Sequence, residues 1–393
     1  MMNLTESALA SLEKRRADLL LRTLPDYASA AGNLVDFSSN DYLSLSRNPD
    51  IIEAGVDCAR RYGAGSTGSR LLSGNLACFE ALEAQIAQYK DSPAAIVYSS
   101  GYQANSTALS VLLDKTLWQA EPLLFTDRLN HASLHHACQL AGVRQIRFRH
   151  NDLSHLAELL EQHAQADRPI VIVTETVFGM EGDSLNIEAL AELACRYNAL
   201  VYLDEAHATG VWGPQGRGLG VSTHPAVTAL KRAGHWVVMG TFSKAVGVSG
   251  AYIACSEALK SLLINKSSGF VYSTAPSPFV VGAVSRALEL IPGLEAERTR
   301  LHQLASGLRR ILQDKGFSTG ESNTHIVPII TGSSASALML KARLAEAGLL
   351  TSAVRPPTVP PNTARVRLAL CAHHREEDTA RLSAVLDNCE LIP

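Results

Sequence analysis

Cysteine chemistry is nearly missing from this 393-residue chain: its seven cysteines (58, 78, 138, 195, 255, 371 and 389) are scattered, with no CxxC pair. Several lie inside apolar runs such as ALCAHH and AYIACS, so they read as reduced thiols of a cytoplasmic protein, with no metal site implied. Runs of five or more like charges are also lacking, and the net charge is 35 − 38 = −3, which leaves no electrostatic footprint for nucleic acid. No segment reaches 18 apolar residues, so no membrane span is expected. The N-terminal stretch has leucines and alanines at helical spacing, but it carries Glu6, Glu13 and Asp18 and has no unbroken apolar core. That argues against a signal or transit peptide. Internal repeats and low-complexity tracts are absent as well. What remains is a chain with 46% hydrophobic residues, long enough for two or three domains and large buried cores. Those bulk properties favour a globular enzyme acting on small molecules.

The hydrophobic pattern supplies the architecture. An amphipathic helix over roughly 4–22 leads into a short strand, LVDFSS, and a turn at Asn40-Asp41-Tyr42-Leu43. Helical patterns then alternate with seven β-prone runs: 94–100, 122–127, 145–150, 169–176, 199–205, 235–242 and 249–255. This alternation predicts an α/β fold with a mainly parallel seven-stranded sheet covered on both faces. From about residue 276 the texture changes to long helices and the strands HIVPII, LTSAVR and ARVRLAL, predicting a smaller C-terminal α+β domain with an antiparallel sheet. The domain reading is therefore 1–45 as N-terminal helix and linking segment, 46–275 as the large domain and 276–393 as the small one. Ligands of such sheets bind at the carboxyl ends of the strands. Ser99-Ser100, Asp127, Glu175, Asp204 and Thr241 all fall there.

One lysine stands out at that edge. Lys244 lies on a small-residue turn between two apolar runs, and about forty residues earlier another run ends in Asp204 and His207. A lysine amine can hold an aldehyde as a Schiff base, and a carboxylate can keep a pyridine nitrogen protonated. With Thr241 and Ser243 beside the lysine and Ser100-Gly101-Tyr102 at a helix start, the set also offers donors for a phosphate. Together these are the parts that pyridoxal phosphate (PLP) needs. Each part alone has a structural reading: a solvated turn for Ser243-Lys244, a helix cap for Asp204.

The segments FSSNDYLSLS (37–46), YGAGSTGSRLLSGN (62–75), DRLNHASL (127–134), HNDLSHL (150–156), VFGMEGDS (177–184), DEAHATGVWGPQGRG (204–218), TFSKAVGVSG (241–250), YSTAPSP (272–278) and RPPTVPPNTARVRL (355–368) run through nearly the whole chain. In this order they resemble the fold-type I PLP enzymes and, within them, the α-oxoamine synthases. The resemblance implies a homodimeric PLP-dependent acyltransferase that condenses an amino acid with an acyl thioester and releases carbon dioxide. RPPTVP followed by TARVRL is most similar to members in biotin biosynthesis, which join L-alanine to pimeloyl-CoA or a pimeloyl carrier protein. Rival expectations are a sister synthase using glycine and acetyl-CoA, a synthase of another aminoketone, or a non-catalytic subunit.

The resemblance also implies roles. Lys244 would carry the cofactor and move the substrate's α-proton, Asp204 would pair with the ring nitrogen, and His131 would stack on the ring. His207 would meet the phenolic oxygen. Ser100, Gly101, Tyr102 and Thr241 would hold the phosphate, joined by Ser273 and Thr274 from the neighbouring subunit. Arg355 would bind the amino-acid carboxylate with its planar fork. Asn40 would help hold a substrate carboxylate, while Arg22 and Thr358 would face the acyl chain or its far carboxylate. Arg22 also reads as part of the solvated face of the N-terminal helix. The chain departs from many relatives at Gly179, where serine is common, and at Phe79, where histidine is common. Ser44 and Thr67 read as loop variation.

Overall fold

The computed structural model describes residues 3–24 and 34–387, which divide into two units. The larger comprises residues 40–179 and 184–300, and the smaller comprises the described residues of 1–39, 180–183 and 301–393.

All seven β-prone runs of the sequence become strands of one sheet in the larger unit. Its order is Ala94–Tyr98, Ala251–Cys255, Trp236–Thr241, Leu200–Asp204, Ile170–Glu175, Leu123–Asp127 and Gln145–Phe148. Only Ala251–Cys255 runs antiparallel to its neighbours. The strands Leu123–Asp127, Leu200–Asp204 and Trp236–Thr241 are buried at every position, as a sheet clad with helices on both faces requires. One core cluster joins Ile96, Leu109, Leu134, Val173, Tyr202 and Val237. Each such side chain contributes about 1.5–3 kcal/mol on leaving water. The helix Pro278–Leu290 packs on Pro49–Tyr62 through small residues. A Cβ on Gly282 would stand 2.4 Å from the Ala54 carbonyl oxygen, so the backbones meet there with no room for a side chain.

The smaller unit is built on a three-stranded antiparallel sheet in the order Ser352–Val354, Ala364–Ala369, Ile326–Gly332, with the helix Ser334–Glu346 against it. Val35–Asp36 pairs in parallel with Leu349–Leu350, so the LVDFSS segment is a strand of this unit. The N-terminal helix is Leu4–Ala17, shorter than 4–22, because Leu19 adopts φ +57° and breaks the helical repeat. Residues 19–24 follow as irregular chain, which takes Arg22 off the helix face.

Six described cysteines are free thiols, with Cys138, Cys255 and Cys371 buried; Cys389 lies outside the described residues. Among the described residues no helix is long and apolar enough to cross a membrane.

Candidate active site

The turn that carries Lys244 joins the antiparallel strands Trp236–Thr241 and Ala251–Cys255. Two bonds between Phe242 and the far side of the turn close it: Phe242 N–H to Gly250 O at 2.9 Å and Val248 N–H to Phe242 O at 2.9 Å. Gly247 is required there, since its φ is +75° and a Cβ would lie 2.5 Å from the Ser46 nitrogen. The turn leaves Lys244 half-buried, its Nζ 2.7 Å from His207 Nε2. His207 Nδ1 in turn stands 2.6 Å from the Tyr42 hydroxyl, which donates to Asn40 Oδ1 at 2.9 Å. An ammonium can only donate, so Nε2 accepts from Lys244 and Nδ1 carries the imidazole proton toward Tyr42.

Asp204 is the last residue of its strand and is only 3% exposed. Its Oδ1 accepts from the Ala206 N–H at 2.9 Å and its Oδ2 from Asn105 Nδ2 at 2.8 Å. Asn105 also accepts from the Tyr202 hydroxyl at 2.8 Å and donates to Ser133 Oγ at 2.9 Å. Ser133 Oγ is 2.7 Å from His131 Nδ1, a nitrogen that also accepts from the Ser133 N–H at 3.3 Å. Every donor in this chain has one acceptor, so Asn105 fixes the carboxylate of Asp204 and, through Ser133, the ring of His131. Desolvation lowers the His131 pKa, against the pull of Asp204, although an edge of the residue remains open to solvent. The next residue, Glu205, does not line the cavity. Lys90 and the Gly220 N–H hold its buried carboxylate.

Lys244, Asp204, His131 and His207 share one cavity of about 270 Å³ with Ser100, Gly101, Tyr102, Asn105, Ser133, Glu175, Ala206, Met239, Thr241 and Ser243. Its anion end is the start of the helix Gly101–Leu112, whose cap Ser100 accepts from the Gln103 N–H at 3.2 Å. First-turn N–H groups have no partner inside a helix and favour an anion. The donor set therefore fits PLP: an amine for the aldehyde, a buried carboxylate for the ring nitrogen and a helix N-terminus with hydroxyls for the phosphate. Two hydroxyls are already engaged in this structure. Thr241 donates to Gly250 O at 2.9 Å, and the Tyr102 hydroxyl stands 2.6 Å from His136 Nδ1. Asp127, the remaining strand-end acid, caps its own loop, accepting from Leu129 N and Asn151 N. Neither Ser273 nor Thr274 lines this cavity; Ser273 Oγ accepts from Gln103 Nε2 at 3.0 Å.

The smaller unit holds the other expected residues. Arg22, Arg355 and Thr358 line a second cavity of about 180 Å³ with Leu20, Met180 and Pro356. Arg22 donates to Thr358 Oγ1 at 2.9 Å, and Arg355 donates to the carbonyls of Leu19 and Leu21. Burial and the neighbouring Arg22 charge lower the Arg355 pKa, so two guanidiniums converge where an anion would relieve them.

Sequence reasoning assigned no role to Asn105, Ser133 or Tyr42. Asn105 and Ser133 sit within helices Gly101–Leu112 and Ala132–Leu140, where a buried polar residue interrupting an apolar face is the only signal.

The model of the family "aminotransferase class I and II" matches residues 32–386. A putative 8-amino-7-oxononanoate synthase of Paramagnetospirillum magneticum is 50% identical over 361 residues, which cover 92% of this chain and 90% of the relative. The 8-amino-7-oxononanoate synthase of Gluconacetobacter diazotrophicus is 48% identical over 391 residues, covering 98% and 96%. Among solved structures, a serine palmitoyltransferase from S. paucimobilis with bound PLP–myriocin aldimine aligns with a TM-score of 0.84 at 25% identity, covering 96% of this chain and 95% of that one. The fold is thus that of fold-type I PLP enzymes. By the extent of both matches, the chain belongs to the aminotransferase class I and II family and, within it, to the family of the 8-amino-7-oxononanoate synthases.

Proposed function

We propose that this acyltransferase joins L-alanine to a pimeloyl thioester, carried by CoA or by an acyl carrier protein, and releases 8-amino-7-oxononanoate, carbon dioxide and the thiol in biotin biosynthesis. Its cofactor is PLP, in keeping with the family and with the fit of the cavity. The observation that carries the reading is that Lys244 and the buried, doubly hydrogen-bonded Asp204 line one cavity with the N-terminus of helix Gly101–Leu112.

Bound PLP supplies an electron sink for charge developing at the alanine α-carbon. Asp204 would hold a proton on the ring nitrogen, while His131 and His207 would lie beside the ring and its phenolic oxygen. Ser100, Gly101, Tyr102 and Thr241 would hold the phosphate, joined by Ser273 and Thr274 of a second copy in a homodimer. Arg355 grips the alanine carboxylate and Asn40 assists, while Arg22 and Thr358 receive the far carboxylate of the acyl chain. Lys244 would take the α-proton. The α-carbon then bonds to the thioester carbonyl carbon, the thiolate leaves, the alanine carboxylate departs as carbon dioxide, and Lys244 returns a proton to the same carbon. A cytoplasmic location completes the reading.

Carboxyl-labelled substrates test it. L-Alanine with pimeloyl-CoA should release labelled carbon dioxide and give a nine-carbon aminoketone by mass spectrometry. Free-thiol release with glycine and acetyl-CoA alone would assign the chain to a sister reaction.

A further inference from the structure

Gly179 lies directly behind the His207 ring. A Cβ built on it would stand 2.3 Å from His207 Nε2 and 2.9 Å from both Cδ2 and Cε1, well inside any real contact. The backbone does not demand glycine here, because Gly179 is not among the positive-φ residues. The three atoms nearest to that Cβ position all belong to the imidazole. That imidazole is also the group hydrogen-bonded to Lys244 Nζ at 2.7 Å and to Tyr42 at 2.6 Å.

We propose that Gly179 is a positioning residue: its missing side chain is what lets His207 seat against Lys244, making Lys244, His207, Tyr42 and Asn40 one hydrogen-bonded line. In that line a proton leaving the Lys244 ammonium passes to His207 Nε2. The resulting imidazolium keeps its Nδ1–H on the Tyr42 oxygen, whose own proton rests on Asn40 Oδ1. No proton is lost from the pair, and the lysine is left with the lone pair it needs to hold an aldehyde. A Cβ at 179 forces either the ring or the loop backbone to shift, and a shift of the ring breaks the Nε2–Nζ contact. The meaning of this contact for catalysis rests on the reading of Lys244 as the cofactor lysine.

Two measurements test the proposal. In the cofactor-free full chain, the His207 imidazole signals should respond to Lys244→Met in the parent protein and should not respond in Gly179→Ala. In the PLP-loaded chain, Gly179→Ala and Gly179→Ser should shift the pH midpoint of the visible absorbance by about one unit, the scale expected when one charge-assisted partner is lost. His207→Ala should shift it similarly, and the Gly179→Ala/His207→Ala double variant should add nothing, because the clash is gone. A parent-like titration in Gly179→Ala, or effects that sum in the double variant, would overturn the proposal. If the parent protein shows no visible absorbance that depends on Lys244, the cofactor reading fails, while the imidazole signals still decide the steric claim.

Discussion

At the scale of single residues, the site depends on who holds whom. Asn105 bonds to Asp204, Ser133 and Tyr202 together. Asn105→Ala should cost about 1–3 kcal/mol of stability by leaving buried partners unmet, read as a lower midpoint in urea. Asn105→Asp keeps the shape and the acceptor for Tyr202 but faces Asp204 with a second carboxylate. It should release PLP readily at pH 8 and retain it better at pH 5, where one proton can be shared. Equal retention at both pH values would show that Asn105 does not govern the carboxylate. Lys244, Asp204 and His207 came forward in the sequence from strand ends and the turns after them, and His131 only through the resemblance carried by NHASL; the structure lines one cavity with all four. Asn105 did not come forward. Its partner Asp204 is 99 positions away, and nothing local distinguishes it from other helix residues. Tyr42 was quoted only as part of a turn, and its contact to His207 spans 165 positions.

Among the secondary-structure elements, the strands were easy to read and the connections were not. Seven β-prone runs gave seven strands because burial on both faces demands unbroken apolar sequence. The antiparallel direction of Ala251–Cys255 depends on the short turn around Lys244, whose chirality is set by Gly247 rather than by any periodicity. The loop after Asp204 is pinned by an ion pair that no pattern announces, Lys90 with Glu205, both side chains fully buried. Burial lowers the Lys90 pKa, opposed by the Glu205 charge. Lys90→Met leaves the buried Glu205 carboxylate with the Gly220 N–H but without its cation, so it should destabilise the protein by about 3–5 kcal/mol. Thermal unfolding checks this; a midpoint within a degree of the parent would refute it. The helix crossing at Gly55 and Gly282 makes a second demand. Gly282→Leu should separate Pro278–Leu290 from Pro49–Tyr62 and lower the urea midpoint by an amount worth about 1–3 kcal/mol, whereas an unchanged midpoint would mean the crossing yields freely.

For the whole molecule, the acid limb of stability has a nameable contributor. His374 is fully buried; it accepts from the Cys371 N–H at 3.0 Å and donates to Asp36 O at 3.1 Å. Burial, helped by the neighbouring His373, pushes its pKa down from 6.5 to about 4. The unfolded chain therefore binds a proton between those values that the folded chain refuses. Stability from this group is whole above pH 6.5 and is lost as the pH falls toward 4, on the order of 3 kcal/mol in all. His374→Gln should flatten that limb in melts from pH 7 to pH 4. The proposed chemistry has Lys244 drive the condensation of alanine with a pimeloyl thioester. Free-thiol release by the PLP-loaded protein tests it most directly, comparing L-alanine plus pimeloyl-CoA with glycine plus acetyl-CoA. Release with the alanine pair that falls by about 10²–10⁴ in Lys244→Ala is the predicted result. Release only with glycine, or none with either pair, would contradict it.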